Sequence, residues 1–531
     1  MNANPQGLQP IDWVIIAIYA VLTILIGWYY GRQQTSAKEY FIGSGHMNPI
    51  LIGVSLFATL LSTISYLAVP GEIIGKGPAQ LSVFLILPVV FAVVSFCLLP
   101  IYMRQRVTSA YELLEERLGL SLRLLGASLF VILRLIWMSL LIYLASKAMT
   151  VMLGVDESKI PIIVCITGFI AVLYTSIGGL RAVVVTDLLQ TILLFSGAWL
   201  VIFGVTFDYG GIGWIPTSWD PNWDVQPLYS FDPRTRVSIL GTLITVGTWY
   251  ICTAGGDQTC VQRFMATKDA AAARRAYATQ LIVSLLVTCT LCLVGFALLG
   301  YFKTHPELLP EGLSLKDDAD KLFPHFIAYH LPAGVSGLVV SAMFAAAMSS
   351  VDSGINSITA VVTTDFLHRL DRAPKTEKGD IIFNKLLAFG IGGLVVIGST
   401  FVGSVPGNML EVTNKTVNLL VSPIFGLFFF ALFVPFARPL GVWLGTLCGV
   451  ITAVIIAFSG PIVTWLELDF DIPATTFGVE IQTTTDEVTG LTKHLAPDPI
   501  SWQWVALSSL IVDLVVGTVV SWLMPRSGKS S

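Results

Sequence analysis

The stretch SAMFAAAMSSVDSGINSITAVVTTDF, residues 341–366, sets oxygen-bearing side chains into a run of small apolar ones. On a helix Ser349, Asp352 and Ser353 stand at i, i+3 and i+4 and share one face, with Ser350 one step round. Hard alkali cations take oxygen ligands, and hydroxyls, carbonyls and a carboxylate supply them. A carboxylate in a membrane span is costly unless it faces a partner or a cavity. The plainer reading is a seam of small residues with serines as glue. Asp352 argues against that reading, because a seam needs no carboxylate.

Other charged side chains fall within apolar runs. Asp187 lies in GGLRAVVVTDLLQT, where it pairs locally or meets a mobile cation. Arg134, in LFVILRLIWM, is placed to fork onto a solute carboxylate or to form a structural ion pair. Lys147 sits nearer a span end and is expected to snorkel. With Arg134 and Lys147 the only basic residues read inside spans, Asp187 and Asp352 leave negative charge for a mobile cation.

Two runs look broken, a common way to build a transporter site, because unwound backbone offers carbonyls to a cation. In FATLLSTISYLAVPGE, residues 57–72, Ser62, Thr63 and Ser65 interrupt the span, and Pro70 and Gly71 follow. The second run, 237–262, carries Thr253, Gly255, Gly256 and Asp257. Hydroxyls bonding back onto their own helix would explain either run alone. Their corresponding places in the chain favour a site.

The elements that must hold these residues are membrane helices. The chain of 531 residues is 54% hydrophobic and 12% charged, about half the charge of a soluble domain. Runs of about 20 apolar residues span ~30 Å of hydrocarbon. Thirteen such runs occur, near 12–31, 49–75, 81–103, 124–152, 158–177, 182–206, 237–262, 277–302, 333–364, 381–403, 414–436, 440–460 and 501–523. They divide the chain into a leading helix with its inner loop (1–48), a first five-helix repeat (49–206), an outer loop (207–236), a second five-helix repeat (237–436) and two C-terminal helices with an outer loop (437–531). With the N-terminus outside and the C-terminus inside, roughly 19 basic residues fall on inner connections and roughly 9 on outer ones. The inner set includes Arg104, Arg106, Arg117, Arg123, Arg263, Arg274, Arg275, Arg369, Arg372 and Lys375. Nothing basic precedes the first run, so it reads as a helix rather than a signal peptide. The seven cysteines lie in or beside apolar runs, which disfavours disulfides, and Cys289 and Cys292 read as core packing. No basic block suggests nucleic acid, and nothing sets an oligomeric state.

At YFIGSGHMNP (40–49), YTSIGGLRA (174–182) and GGDQTCVQRFMATKD (255–269) the chain resembles the sodium:solute symporter family, and the likeness runs from about 12 to 460. That resemblance implies an all-α polytopic membrane protein with a LeuT-type five-plus-five inverted repeat and about 13 transmembrane helices, in the plasma (inner) membrane. It implies no enzyme activity and no cofactor, with sodium as the coupling ion. By position, the family's sodium site looks like Ala58, Leu61, Ala346, Ser349 and Ser350. A second sodium or proton site looks like Asp187, Ser349, Asp352 and Ser353, where Asp352 replaces the hydroxyl expected of the family. Substrate residues look like Ser62, Ile64, Ser65 and Tyr66, with Arg134 from the third core helix. FATLLSTIS together with that arginine is similar to the sialic acid branch, whereas Ile64 and Ser65, where sugar carriers hold an acid and an amide, weaken a hexose.

The expected activity is sodium-coupled import of a small organic solute by alternating access, with sialic acid as one organic anion that fits. Sodium/sugar, sodium/monocarboxylate and proton-coupled symport are the alternatives. A channel would want repeated filters, and a transport-like sensor would need more tail than follows residue 523. A primary pump would need a phosphate loop that the sequence lacks.

Overall fold

The computed structural model describes residues 7–32, 37–42, 46–105, 107, 109–370, 374, 376–401, 409–485 and 492–524. Arg106, Arg372 and Lys375 of the inner basic set, and residues 43–45 of the first family segment, lie outside them. Helices dominate. In chain order they are α1 (Pro10–Gly31), the broken pair α2 (Pro49–Leu60) and α3 (Thr63–Gly75), α4 (Leu87–Gln105), α5 (Leu120–Leu153) and α6 (Ile160–Tyr209). A second broken pair, α7 (Ile239–Gly256) and α8 (Gln258–Met265), precedes α9 (Ala270–Thr304) and the shorter helix α10 (Ala319–Tyr329). Then come α11 (Val335–Leu367), α12 (Glu377–Phe401), α13 (Met409–Phe433), α14 (Pro439–Ala457), α15 (Ser459–Phe470) and α16 (Trp504–Leu523).

Among the described residues 11 helices are long and apolar enough to cross a membrane, and α2 with α3 passes as one span bent by 66°. The first arm of α6 is a shorter apolar helix. The sequence reads α6 as two spans, and the structure shows why: Gly179 breaks it at φ 63°, a left-handed conformation that a Cβ would strain. The stretch 461–500, read as an outer loop, is more ordered than expected. It contains most of α15 and an antiparallel hairpin of β1 (Gln482–Thr485) and β2 (Thr492–Leu495).

Helix starts follow local chemistry. Asn48 accepts from Ile50 N–H at 2.8 Å with Pro49 in the first turn of α2. Asp257 caps α8 through Thr259 N–H at 2.8 Å, and Asp269 caps α9 through Ala272 N–H at 2.8 Å. The candidate ion-binding helix is the most enclosed. In α11 94% of the most apolar stretch is buried, against 17% in α1, so α11 is central and α1 faces lipid.

A carboxylate from α1 nonetheless fixes the start of α11. Asp12 accepts from Gly334 N–H at 2.7 Å, Gly337 N–H at 2.8 Å and Gln9 N–H at 2.8 Å. It satisfies orphan donors and meets the positive end of the helix dipole. Gly337 permits this approach, because a Cβ there would lie 2.6 Å from Asp12 Cα. Removing the carboxylate in Asp12→Ala is expected to destabilise the fold by about 1–2 kcal/mol, and Asp12→Asn by less. Thermal unfolding in detergent measures both; an unchanged midpoint in Asp12→Ala would show that the cap contributes nothing.

Candidate functional site

The first break is made by two extended residues, Leu61 (φ −81°, ψ 130°) and Ser62 (φ −120°, ψ 168°). Ser62 then restarts the chain as the N-cap of α3, accepting from Ser65 N–H at 3.3 Å. The last turn of α2 therefore has carbonyls with no helical donor ahead of them. Hydroxyls of α11 reach them. Ser349 Oγ donates to Ala58 O at 2.5 Å, and Ser350 Oγ lies 3.0 Å from Leu61 O and 3.2 Å from Thr59 O. Thr63 Oγ1 donates back to Met343 O at 2.9 Å. Ala346 is buried one turn before Ser350 on the same helix. The five residues expected to ligate sodium thus lie where α2 and α11 meet, and the face-sharing read from i, i+3, i+4 spacing holds.

One turn further along α11 lies a charged cluster. Ser55 Oγ donates to Asp187 Oδ2 at 2.5 Å and accepts from Arg263 Nε at 2.8 Å. Arg263 also donates to Ser353 Oγ at 2.5 Å and approaches Asp187 at 3.5 Å. Ser353 and Thr59 hydroxyls are 2.9 Å apart, and Ser353 Oγ lies 3.4 Å from Asp352 Oδ1.

This cluster corrects two expectations. Arg263, assigned to an inner connection, is fully buried, and Asp187 pairs with it rather than with nearby Arg181. Asp187 Oδ1 keeps no hydrogen-bond partner among the described residues.

Arg134 has a partner that sequence reading missed. Its guanidinium pairs with Asp257, at the break between α7 and α8. The carbonyls freed at that second break are taken by phenols: Tyr102 donates to Gly255 O, and Tyr111 to Gly256 O at 3.2 Å. The two breaks are therefore unlike. One faces serine hydroxyls, and the other is already sealed.

A cavity opens beside the first break. Trp137, Trp249 and Tyr250 wall it, and Gln80, Gln280 and Asn414 contribute amides. Ser65 lines it. Ile64 and Tyr66 do not, because one step along a helix turns a side chain by ~100°. Ile64 packs with Trp137, Leu140 and Leu141, while Tyr66 lies against Phe323. Ser62 is buried with its hydroxyl turned to the cap. A smaller pocket adjoins the cavity, sharing Leu60, Trp137, Trp249 and Val417, and holds Arg134, Thr253 and Asp257. Arg134 Nε and Thr253 Oγ1 are buried there without partners among the described residues.

Against this geometry, comparison with known proteins is direct. The family model described as "Sodium:solute symporter family" matches residues 40–449. The chain belongs to that family. It is 28% identical to the sodium/sialic acid symporter NanT of Aliivibrio fischeri, over 84% of this chain and 88% of that one. It is also 28% identical to the sodium/sialic acid symporter SiaT of Proteus mirabilis, over 80% and 85%, and 27% identical to a human sodium-coupled monocarboxylate transporter, over 98% and 87%. In fold it resembles a solved outward-open sodium-coupled sialic acid symporter, with TM-score 0.76 at 23% identity over 97% of this chain and 98% of that one. The protein is a sodium-coupled symporter with the LeuT-type five-plus-five architecture of its family.

Breaking the Arg134–Asp257 pair from either side strands a buried charge. Arg134→Ala and Asp257→Ala are each expected to destabilise by about 3–5 kcal/mol, and the double variant by clearly less than their sum. Thermal unfolding of the three variants in detergent checks this; strictly additive losses would show that the two groups act separately.

Proposed function

We propose that the protein imports a small carboxylate-bearing solute, of which sialic acid is one example, driven by sodium bound where α2 meets α11. The observation that carries the sodium assignment is Ser350 Oγ, 3.0 Å from Leu61 O at the break in the neighbouring helix. Carbonyls of Ala58, Leu61 and Ala346 with the hydroxyls of Ser349 and Ser350 form an all-oxygen set suited to a hard cation. Asp187, Asp352 and Ser353 hold the second cation, a sodium or a proton.

For the solute, Arg134 Nε and Thr253 Oγ1 are unmatched donors at the floor of an aromatic-walled, amide-rich cavity. They fit a carboxylate whose body rests against Trp137, Trp249 and Ser65. Curated relatives named for sialic acid agree. A neutral sugar is the second reading, favoured by one observation: Asp257 already neutralises Arg134. The orientation that suits the basic residues places the N-terminus outside and the C-terminus inside the plasma membrane.

Alternating access then follows. Sodium entering from outside draws α2 and α11 together, which preorganises the cavity edge at Ser65 for solute, so each ligand favours the other. One charge crossing ~100 mV releases about 2.3 kcal/mol, and a tenfold sodium gradient about 1.4 kcal/mol. Together they support roughly 500-fold accumulation of a neutral solute per ion. An anion requires a second cation to keep the electrical drive.

Uptake of radiolabelled sialic acid, hexose and monocarboxylate into proteoliposomes, with sodium or choline outside, tests the reading. Sodium-dependent uptake of an acid but not of hexose is expected; hexose uptake alone would overturn the solute class. Ser350→Ala is expected to weaken sodium activation about tenfold or more, a loss of ~1.4 kcal/mol or greater. Asp187→Ala is expected to abolish sodium-driven uptake. Normal sodium dependence in both variants would remove the ion assignments while leaving the family fold intact.

A further inference from the structure

Away from the transport path, α16 carries one charged residue, Asp513, at its midpoint. Its side chain is fully buried, and neither carboxylate oxygen has a hydrogen-bond partner among the described residues. Glycines cradle it on two sides. A Cβ on Gly426 of α13 would lie 1.9 Å from Asp513 Oδ2, and one on Gly445 of α14 would lie 2.8 Å from Oδ1. A third glycine, Gly449, lies one turn along α14, where a Cβ would meet Asp513 Cβ at 2.9 Å. The backbone has been pared away so that this carboxyl group fits against bare Cα atoms. Thr446 Oγ1, next to Gly445, is also buried without a partner among the described residues, whereas buried Ser422, one turn before Gly426, has the Cys252 thiol beside its hydroxyl.

An ionised carboxylate in such a place has neither counter-ion nor donors enough to replace water, and burial of an isolated charge drives neutralisation instead. Among the described residues no basic side chain pairs with Asp513. Of the titratable groups on helices packed against α16, Cys252 of α7 is buried beside Ser422. Cys448 of α14 is half-buried, Tyr250 of α7 bonds Ser284, and Lys415 of α13 is two turns from Ser422 and bound to Asp498. A metal ion would need five or six oxygens at open positions, yet both carboxylate oxygens sit hard against glycine. A proton needs no such space.

We propose that Asp513 is a proton-binding site, neutral when α13, α14 and α16 are packed as here, and that loss of its proton to bulk water loosens α13 from the two C-terminal helices. Since α13 also lines the solute cavity through Asn414 and Val417, protonation at Asp513 ties the cavity wall to the C-terminal pair. The sodium cluster on α2 and α11 is left untouched. A glycine cradle would serve an asparagine equally well; what aspartate adds is response to pH.

The test uses the full-length purified protein at saturating sodium, with no solute. The thermal midpoint of the wild type should fall by several degrees as pH rises from about 5 to about 9, because the packed state holds a proton that the unfolded chain gives up. Asp513→Asn keeps the shape of the neutral acid and should remove a distinct part of that fall, matching the wild type at the acid end. Should the asparagine variant not fold, Asp513→Ser is the second variant. Infrared difference spectra on raising pH give an independent readout: a neutral carboxylic acid band lost in the wild type and missing from the variant supports the assignment. Identical pH slopes in wild type and variant, or no such band in the wild type, would overturn it.

Discussion

Everything in this transporter hangs on one local conflict, a helix that stops at Leu60 and resumes at Thr63 inside a medium without water. Lipid tolerates unpaired carbonyls only where protein or a cavity receives them. Here the partner is α11, whose Ser349 and Ser350 hydroxyls donate to those carbonyls and can withdraw by rotating about a single bond. A hydroxyl is both donor and acceptor, so the same side chains satisfy the break by themselves and can turn their oxygens to a cation. Alanine would leave the carbonyls orphaned, and lysine would fill the place permanently. Serine is the choice that keeps the junction reversible.

The second break shows what a permanent solution looks like. At Gly255 and Gly256 the freed carbonyls are held by Tyr102 and Tyr111, bulky phenols locked in the core. Asp257 caps α8 with one oxygen and holds Arg134 with the other. This half of the repeat is thus closed electrostatically, while the first half is left open to exchange. Inverted repeats share topology, but the polar chemistry at their two breaks has been assigned to different ends.

Much of this was legible in sequence because it depends on spacing and polarity. The face formed by Ser349, Asp352 and Ser353 follows from helical period alone, and Ser62, Thr63 and Ser65 mark where the span is interrupted. The partner of each charge was not legible. Arg263 sits at the end of an apolar run and looks like an ordinary inner-side arginine; only the fold of the short polar helix α8 into the interior carries it to Asp187. Asp257 meets Arg134 across more than 100 residues, which no local pattern encodes. Of the expected substrate positions, only some reach the cavity, for a simpler reason. Neighbours along α3 diverge by ~100°, so a contiguous run such as Ser62 to Tyr66 cannot all face one cavity. The amides of Gln80, Gln280 and Asn414 reach the cavity from three other elements, which no local pattern in the chain announces.

Rigidity is distributed to match. The start of α11 is pinned by Asp12 of α1, so the serine-bearing helix has a fixed end against a lipid-facing helix. Across the first break, Glu72 near the C-terminal end of α3 holds Arg236 in a two-pronged pair at 2.7 and 2.8 Å. Between these anchors lies the 66° bend at Leu61 and Ser62, which have extended rather than helical backbone. A cation bound there would be held by oxygens from both sides of the hinge. Its affinity must therefore depend on the hinge angle, and by reciprocity the hinge angle must depend on the ion. With an ion held there, coupling would need no signal relayed over distance, because ligand and bend would share the same atoms.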